Sequence, residues 1–418
     1  MIATVRKAAR LEGDVRLPGD KSISHRALIL GSLADGWSRV HGLSEGADVK
    51  STASCLRALG AEIEDSSIRG FGLDGVRKAD GPLDCGNSGT TMRLLAGILA
   101  AQGFVTELTG DESLTRRPMD RVVKPLMEMG AHAAWPPLRV GGHLPLHGIE
   151  YRMPVASAQV KSALLLAGLF ADGVTAVIEP VPTRNHTELM LRAMGVDVKV
   201  DGDRVEVTRA DRLEAINIDV PGDLSAASFW LVAGGLVLGS SLRLEGVGVN
   251  PTRTAFMELL RLSGFNIEAS NERVTGGEPV ADLEVRAATR GGALNIDAGQ
   301  AAQMIDELLV LAVAATQLQG ESRITGAAEL HVKESDRIAA MAEGLQAMGA
   351  DITALDDGWT IRGPRFLEGA RVRSQGDHRV AMALAVAGLI ADGTTEIEDA
   401  ECVEISYPGF FDQVEALC

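Results

Sequence analysis

Hydrophobic residues in this chain gather in long blocks where polar residues are nearly absent. The clearest are Ala163 to Ala171, Ala226 to Leu238 and Val380 to Ala391. A helix that is apolar all round must be covered on every side, so such blocks predict helices inside their domain. Six units share a register set by the glycine after each block: Gly36, Gly103, Gly173, Gly239, Gly320 and Gly393. Seventeen positions earlier stand Gly19, Gly86, Ala156, Gly222, Gln303 and Gly376. One position further on stand Asp20, Asn87, Ser157, Asp223, Met304 and Asp377. Five of these last six accept hydrogen bonds from the free N–H groups of a helix start, so five helices are predicted to be capped and one, at Met304, is not.

Short β-rich pieces follow the glycines: Ser38-Arg39-Val40, Thr175 to Ile178, Ser241 to Leu244 and Thr395 to Ile397. A second helix then carries charge on one face, as in Asp48 to Leu59 and Glu188 to Met194, and is predicted nearer the surface. Its end is in register too, at Gly60, Gly130, Gly195, Gly264 and Gly349, each placed to be a left-handed C-cap. Several units continue into a hairpin, such as Val196 to Val200, a turn at Asp201-Gly202-Asp203, and Arg204 to Val207. One unit is thus helix, strand, helix and two strands, and the units lie 66 to 81 residues apart. That spacing exceeds the 20–50 residues of solenoid repeats and predicts compact domains of about three units each.

Composition fits this picture. At 418 residues the chain is long enough for two or three domains, and 46% hydrophobic with 23% charged residues is ordinary for a globular protein. Aromatics are only 4%, so the cores must be built from Ala, Leu, Val and Ile. A net charge of −17 argues against nucleic-acid or acidic-membrane partners, which need a basic face. Small anions remain open as ligands, because distant charge is screened beyond ~8 Å at physiological salt. Cys55, Cys85, Cys402 and Cys418 show no metal spacing and no CxxC pairing, which points to free thiols in a reducing compartment. The N-terminal stretch lacks the apolar core of a signal peptide, and no block is long enough to span a bilayer. A cytoplasmic location is expected.

Cations fall where such helices should not want them. Lys21 and Arg26, Arg93, Lys161 and Arg379 belong to the starts of apolar helices; Arg117, Arg184, Arg253, Lys333 and Arg337 lie near the starts of the second helices. A cation there is costly, and helix N-termini repel it further. Any one of them is simply read as paired with a nearby acid. Ten at matching positions point instead to a cleft where helix N-termini and basic side chains meet phosphate or carboxylate. Gly86-Asn87-Ser88-Gly89-Thr90-Thr91 is a glycine-rich loop entering a helix, neither a Walker loop nor a dinucleotide fingerprint. Two acids stand out: Asp306, just after Met304, and Glu334, between Lys333 and Arg337. Glu334 reads either as an ion pair at a helix start or as a general acid whose pKa a bound multi-anion ligand would raise.

The segments Leu17 to Arg26, Gly86 to Arg93, Arg117-Pro118-Met119, Ala156 to Gln159, Lys333 to Arg337 and Gly376 to Arg379 occur in one order along essentially the whole chain. Together they closely resemble the 5-enolpyruvylshikimate-3-phosphate synthase family of enolpyruvyl transferases. The resemblance implies a two-domain inside-out α/β barrel of six βαβαββ repeats, with helices buried and sheets outside. It places an N-terminal domain at 18–220 and a C-terminal domain at 1–17 plus 221–418. It implies transfer of the enolpyruvyl group of phosphoenolpyruvate to the 5-hydroxyl of shikimate 3-phosphate, with release of phosphate. No cofactor and no metal are implied; glyphosate is implied as inhibitor, and a monomer is expected.

Residue by residue, the resemblance makes Asp306 the base near the 5-hydroxyl and Glu334 the acid at the methylene carbon, with Lys21 touching both substrates. Lys21, Ser22, Arg26, Ser157, Ala158, Gln159, Arg184, Asp306 and Lys333 look like the shikimate 3-phosphate site. Lys21, Gly89, Arg117, Gln159, Arg337 and Arg379 look like the phosphoenolpyruvate site. The pattern departs in places. Ala158 stands where many members have a second Ser, Arg184 where some have a Ser, and Ile405 where many have a Lys before the Tyr407-Pro408 pair. Gly89 stands where an Ala is associated with glyphosate tolerance, so sensitivity is expected. Two alternatives remain: the sister transferase acting on UDP-N-acetylglucosamine, and a non-catalytic anion-binding protein on the same scaffold. Against the first, the sister enzyme has Lys-Asn where this chain has Lys21-Ser22. Against the second, carboxylates such as Asp306 and Glu334 do not help bind anions.

Overall fold

The computed structural model describes residues 1–141, 145–287 and 291–418, and in it the apolar blocks are helices. The six inner helices span Lys21–Leu33, Gly89–Leu99, Ala158–Gly168, Leu224–Leu236, Leu308–Ala315 and His378–Ile390. Burial follows the apolar pattern: Leu224 to Gly235 are all buried, as is the whole of Leu308–Ala315. Some hydroxyls inside these helices are satisfied locally: Ser32 and Ser228 donate to the Leu28 and Ser225 carbonyls at 2.8 and 2.6 Å.

Four caps fall at the residues the register predicts. Asp20, Ser157, Asp223 and Asp377 accept from the amides of Ile23, Val160, Ser225 and Arg379 at 2.9, 3.4, 2.7 and 2.9 Å. The second helix is capped one residue later than expected, by Ser88, which accepts from Thr91 N at 3.1 Å. Asn87 is drawn away instead, accepting from Arg117 and donating to Asp111. The fifth unit departs further. Asp297 caps a short helix, Ala298–Gln303, in a reciprocal box with Gln300; the chain turns through 304–307; and the inner helix restarts at Leu308 without a side-chain cap. This helix is therefore broken in two, rather than simply uncapped at Met304.

Each inner helix feeds a strand: Trp37–His41, Thr106–Thr109, Val174–Ile178, Ser241–Gly248, Gly320–Ile324 and Thr394–Glu398. Each strand lies inside a separate small sheet, between an antiparallel neighbour and a parallel edge strand. In four sheets the parallel strand immediately precedes the inner helix of the same unit: Leu83–Asp84, Glu150–Arg152, Asn295–Ile296 and Arg371–Arg373. The other two exchange it. Asn217–Asp219 joins the first unit's sheet, and Glu12–Val15 joins the fourth's. In the sixth, Ile2–Arg6 takes the antiparallel place.

The glycines ending the second helices, Gly60, Gly130, Gly195, Gly264 and Gly349, all have φ between +85° and +107°, the left-handed turn that frees the chain for its hairpin. The hairpin expected from Val196 is shorter, pairing Lys199–Asp201 with Arg204–Thr208. Contacts divide the chain into two units, 1–18 with 221–273 and 279–418, and 19–220 with 274–278; these are called below the 221–418 and 19–220 units. Each has its own apolar core. In the 19–220 unit the second and third inner helices pack so closely that a Cβ on Gly97 would lie 2.2 Å from the Ala163 carbonyl oxygen. No helix among the described residues is long and apolar enough to cross a membrane.

Candidate active site

In the 19–220 unit, the starts of the three inner helices carry Lys21, Arg26, Arg93 and Lys161, four of the six singled-out cations of this unit. Lys21 opens the first helix, and its Nζ lies 3.3 Å from Asp48 Oδ2. One turn on, Arg26 is buried and oriented by three acceptors: Thr187 Oγ1 at 2.7 Å, Ser162 Oγ at 2.7 Å and the Ser22 carbonyl at 2.9 Å. Burial pulls its guanidinium down to about 10, against the pull of Glu188 and Asp20, and the nearby charge of Arg184 pushes the same way as burial. It remains a cation at neutral pH, with another cation close by. Such a pair of like charges is most easily offset by an anion.

The glycine-rich loop and the third helix are joined by side chains. Arg93 donates to Gln159 Oε1 at 2.5 Å, and Gln159 Nε2 donates to Thr90 Oγ1 at 2.9 Å. Arg117 reaches the same loop through Asn87 Oδ1 at 2.7 Å. Gly89 lies between them: a Cβ there would stand 2.7 Å from Arg93 Nη1 and 3.5 Å from Arg117 Nη1. Its missing side chain thus leaves both guanidinium groups in place. Ser157 caps the third helix, and the Ala158 carbonyl is taken by the Ser162 hydroxyl at 2.6 Å.

The 221–418 unit has a different electrostatic character. Arg337, 1% exposed, is held by carboxylates: Asp377 Oδ2 at 2.7 Å from Nε, Glu334 Oε2 at 2.7 Å from Nη2, and Asp306 Oδ1 at 3.5 Å from Nη1. Burial alone would lower its pKa, but Asp377, Glu334 and Asp306 outweigh that and raise it. Arg379 approaches Asp306 from another helix, with Nη2 3.6 Å from Oδ2 and Nη1 donating to the Asp306 carbonyl at 3.2 Å. Lys333 is partly buried beside them, and burial pushes its ammonium below the usual lysine range although Asp306 and Glu329 pull the other way. Arg337 is thus shared by Asp306 and Glu334, Arg379 approaches Asp306, and the charge of Lys333 acts on both carboxylates. The break in the fifth inner helix is what presents Asp306, on the 304–307 turn.

Pairing with nearby acids, the simpler explanation, extends to Lys21, Lys333, Arg337 and Arg379, and it accounts for Lys161 and Arg253 as buried structural cations. Lys161 is 1% exposed and pairs with Glu179 at 2.9 Å and Glu188 at 2.7 Å. Arg253 is buried against Ser225 Oγ at 2.7 Å, Asp223 and Glu307. Sequence reasoning missed the groups that orient the cations, namely Thr187 and Ser162 for Arg26 and Asp377 for Arg337. Asp377 was legible only as a cap. Its second role follows from an approach between segments 40 residues apart in sequence. Ile405, at the doubtful lysine position, packs partly buried on the core of its unit.

The model of the EPSP synthase family, described as 3-phosphoshikimate 1-carboxyvinyltransferase, matches residues 5–414. A 3-phosphoshikimate 1-carboxyvinyltransferase from Alkalilimnicola ehrlichii is 52% identical over 416 residues, covering 97% of this chain and 93% of its own. One from Gloeobacter violaceus is 52% identical over 424 residues, covering 98% of each. A solved structure of EPSP synthase from Acinetobacter baumannii superposes with a TM-score of 0.89 at 41% identity, covering 100% of this chain and 98% of that one. With the motifs, the six sheets and these likenesses in agreement, the chain belongs to the EPSP synthase family, the 3-phosphoshikimate 1-carboxyvinyltransferases.

Proposed function

We propose that the two groups of residues divide the work of one carboxyvinyl transfer, in which phosphoenolpyruvate donates to shikimate 3-phosphate in the shikimate pathway. Lys21, Ser22, Arg26, Ser157, Gln159 and Arg184, with the Ala158 backbone, bind shikimate 3-phosphate, joined by Lys333 and Asp306. Arg117, Arg337 and Arg379 bind the phosphate and carboxylate of phosphoenolpyruvate, and Lys21, Gly89 and Gln159 also contribute to its binding. The observation that carries this reading is the cluster at Arg337. Two carboxylates, Asp306 and Glu334, are kept where anions must bind, at 3.5 and 2.7 Å from one buried guanidinium. Carboxylates weaken anion binding, so their presence is explained by chemistry they perform.

In that chemistry Asp306 takes the proton of the 5-hydroxyl as its oxygen attacks C2 of phosphoenolpyruvate, and Glu334 delivers a proton to C3. The tetrahedral adduct then returns a C3 proton to the Glu334 carboxylate and expels phosphate, which takes up the proton held by Asp306, restoring the double bond and both side chains. Both substrates are anions, so the surrounding cations hold them in reach of one another as well as stabilising developing charge. Lys21 can assist either proton step. We further expect glyphosate to inhibit by occupying the phosphoenolpyruvate contacts, the enzyme to act as a monomer, and its location to be cytoplasmic.

Steady-state phosphate release tests the division. Arg26→Gln should raise KM for shikimate 3-phosphate by about tenfold or more while leaving KM for phosphoenolpyruvate little changed, and Arg379→Gln should do the reverse. If both variants raise the same KM, the assignment is wrong.

A further inference from the structure

We infer that Glu307 is a positioning residue for Asp306, acting through Ser225 and Arg253; this rests on Asp306 being the base. Glu307 occupies the cap position of the fifth inner helix, where other units place an Asp or Ser whose side chain turns back to the helix amides. Glu307 makes no such bond. Its side chain, 2% exposed, points across to the fourth inner helix, where the Ser225 hydroxyl donates a short hydrogen bond to Oε1. Arg253 Nη2 donates to the same Ser225 oxygen at 2.7 Å and lies 3.8 Å from Glu307 Oε1 and 3.5 Å from Asp223 Oδ1. Asp223 in turn caps the fourth helix.

This arrangement anchors the turn on both sides of Asp306. Met304 is fully buried, its carbonyl accepting from Glu307 N at 2.9 Å and Leu308 N at 3.2 Å. Glu307 is fixed sideways by hydroxyl and guanidinium. Between these anchors Asp306 is left half-buried, 3.5 Å from Arg337 and 3.6 Å from Arg379. A carboxylate buried at a helix start without capping is costly unless it is paired. A turn held two residues before the reacting group and one residue after it has a clear use: misplacing such a group by about 1 Å can cost about 100-fold in rate. Breaking the inner helix supplies Asp306, and Glu307 keeps the break in one shape.

Four proteins test this: the wild type, Glu307→Gln, Asp306→Asn and the double variant, each assayed for phosphate release. Glu307→Gln keeps the size and an acceptor oxygen but removes the charge facing Arg253. It should lower kcat roughly 10- to 100-fold, with both KM values within about threefold. In the Asp306→Asn background it should cost less than about twofold more, because a residue that acts only through Asp306 has nothing left to position. The inference is overturned if Glu307→Gln keeps kcat within about twofold of wild type, if its loss multiplies that of Asp306→Asn, or if it acts mainly on KM. Should Glu307→Gln fail to fold, Ser225→Ala decides by the same criteria, with an expected loss of roughly three- to tenfold in kcat. Near-full turnover by Asp306→Asn alone would instead remove Asp306 as the base, and this inference with it.

Discussion

Lys161 and Arg337 are equally hidden, each 1% exposed, yet they have different uses. Lys161 is closed off by Glu179 and Glu188 and holds the 19–220 unit together from within, its Nζ also reaching the Thr183 carbonyl at 3.4 Å. Arg337 Nη1 makes no hydrogen bond among the described residues and faces the carboxylate of Asp306. Composition and spacing could not separate the two, because what distinguishes them is which acids the fold brings near. Lys333 allows a pH test. It must be protonated to bind an anion, and its depressed pKa means the proton is lost at lower pH than from an ordinary lysine near 10.4. The kcat/KM for shikimate 3-phosphate should therefore fall as pH rises, beginning below the ordinary lysine range. Lys333→Arg should move that alkaline limb upward; a limb that stays put assigns it to another group.

Among the elements, the inner helices were the most legible part of the chain, because an apolar block that ends in a glycine leaves little choice of structure. The caps were legible to within a residue. Ser88 displaced Asn87 because Arg117 and Asp111 compete for the asparagine amide, a contact across 30 and 24 residues that no local pattern carries. The break in the fifth helix was hidden for a related reason. Asp297 and Gln300 form an ordinary capping box, but its place several residues ahead of the common register made Met304 look like the start. Gly97 shows how tightly the inner helices are set. Gly97→Ala places a Cβ 2.2 Å from a backbone oxygen of the third inner helix, which cannot rotate aside. Urea unfolding should show a loss of about 1–3 kcal/mol, the usual range for overpacking. A loss within about 0.5 kcal/mol, as for a neutral surface change, would mean that the two helices separate freely.

At the scale of the molecule, the sixfold register supplies the scaffold, and its clearest departure, the broken fifth inner helix, presents Asp306. The 19–220 unit gathers cations at helix starts, while the 221–418 unit sets Asp306 and Glu334 among cations. Shikimate 3-phosphate alone should then raise hydrogen-exchange protection chiefly at the starts of the first and third inner helices. Protection confined to the 221–418 unit would contradict that division. We propose that Asp306 and Glu334, both held by Arg337, carry the proton transfers. Phosphate release from phosphoenolpyruvate and shikimate 3-phosphate by Asp306→Asn and Glu334→Gln, with binding of each substrate measured alongside, tests it most directly. Each variant should lower kcat by about 10²- to 10⁴-fold while substrate binding is kept; near wild-type turnover in either variant would remove that residue from the proton transfers.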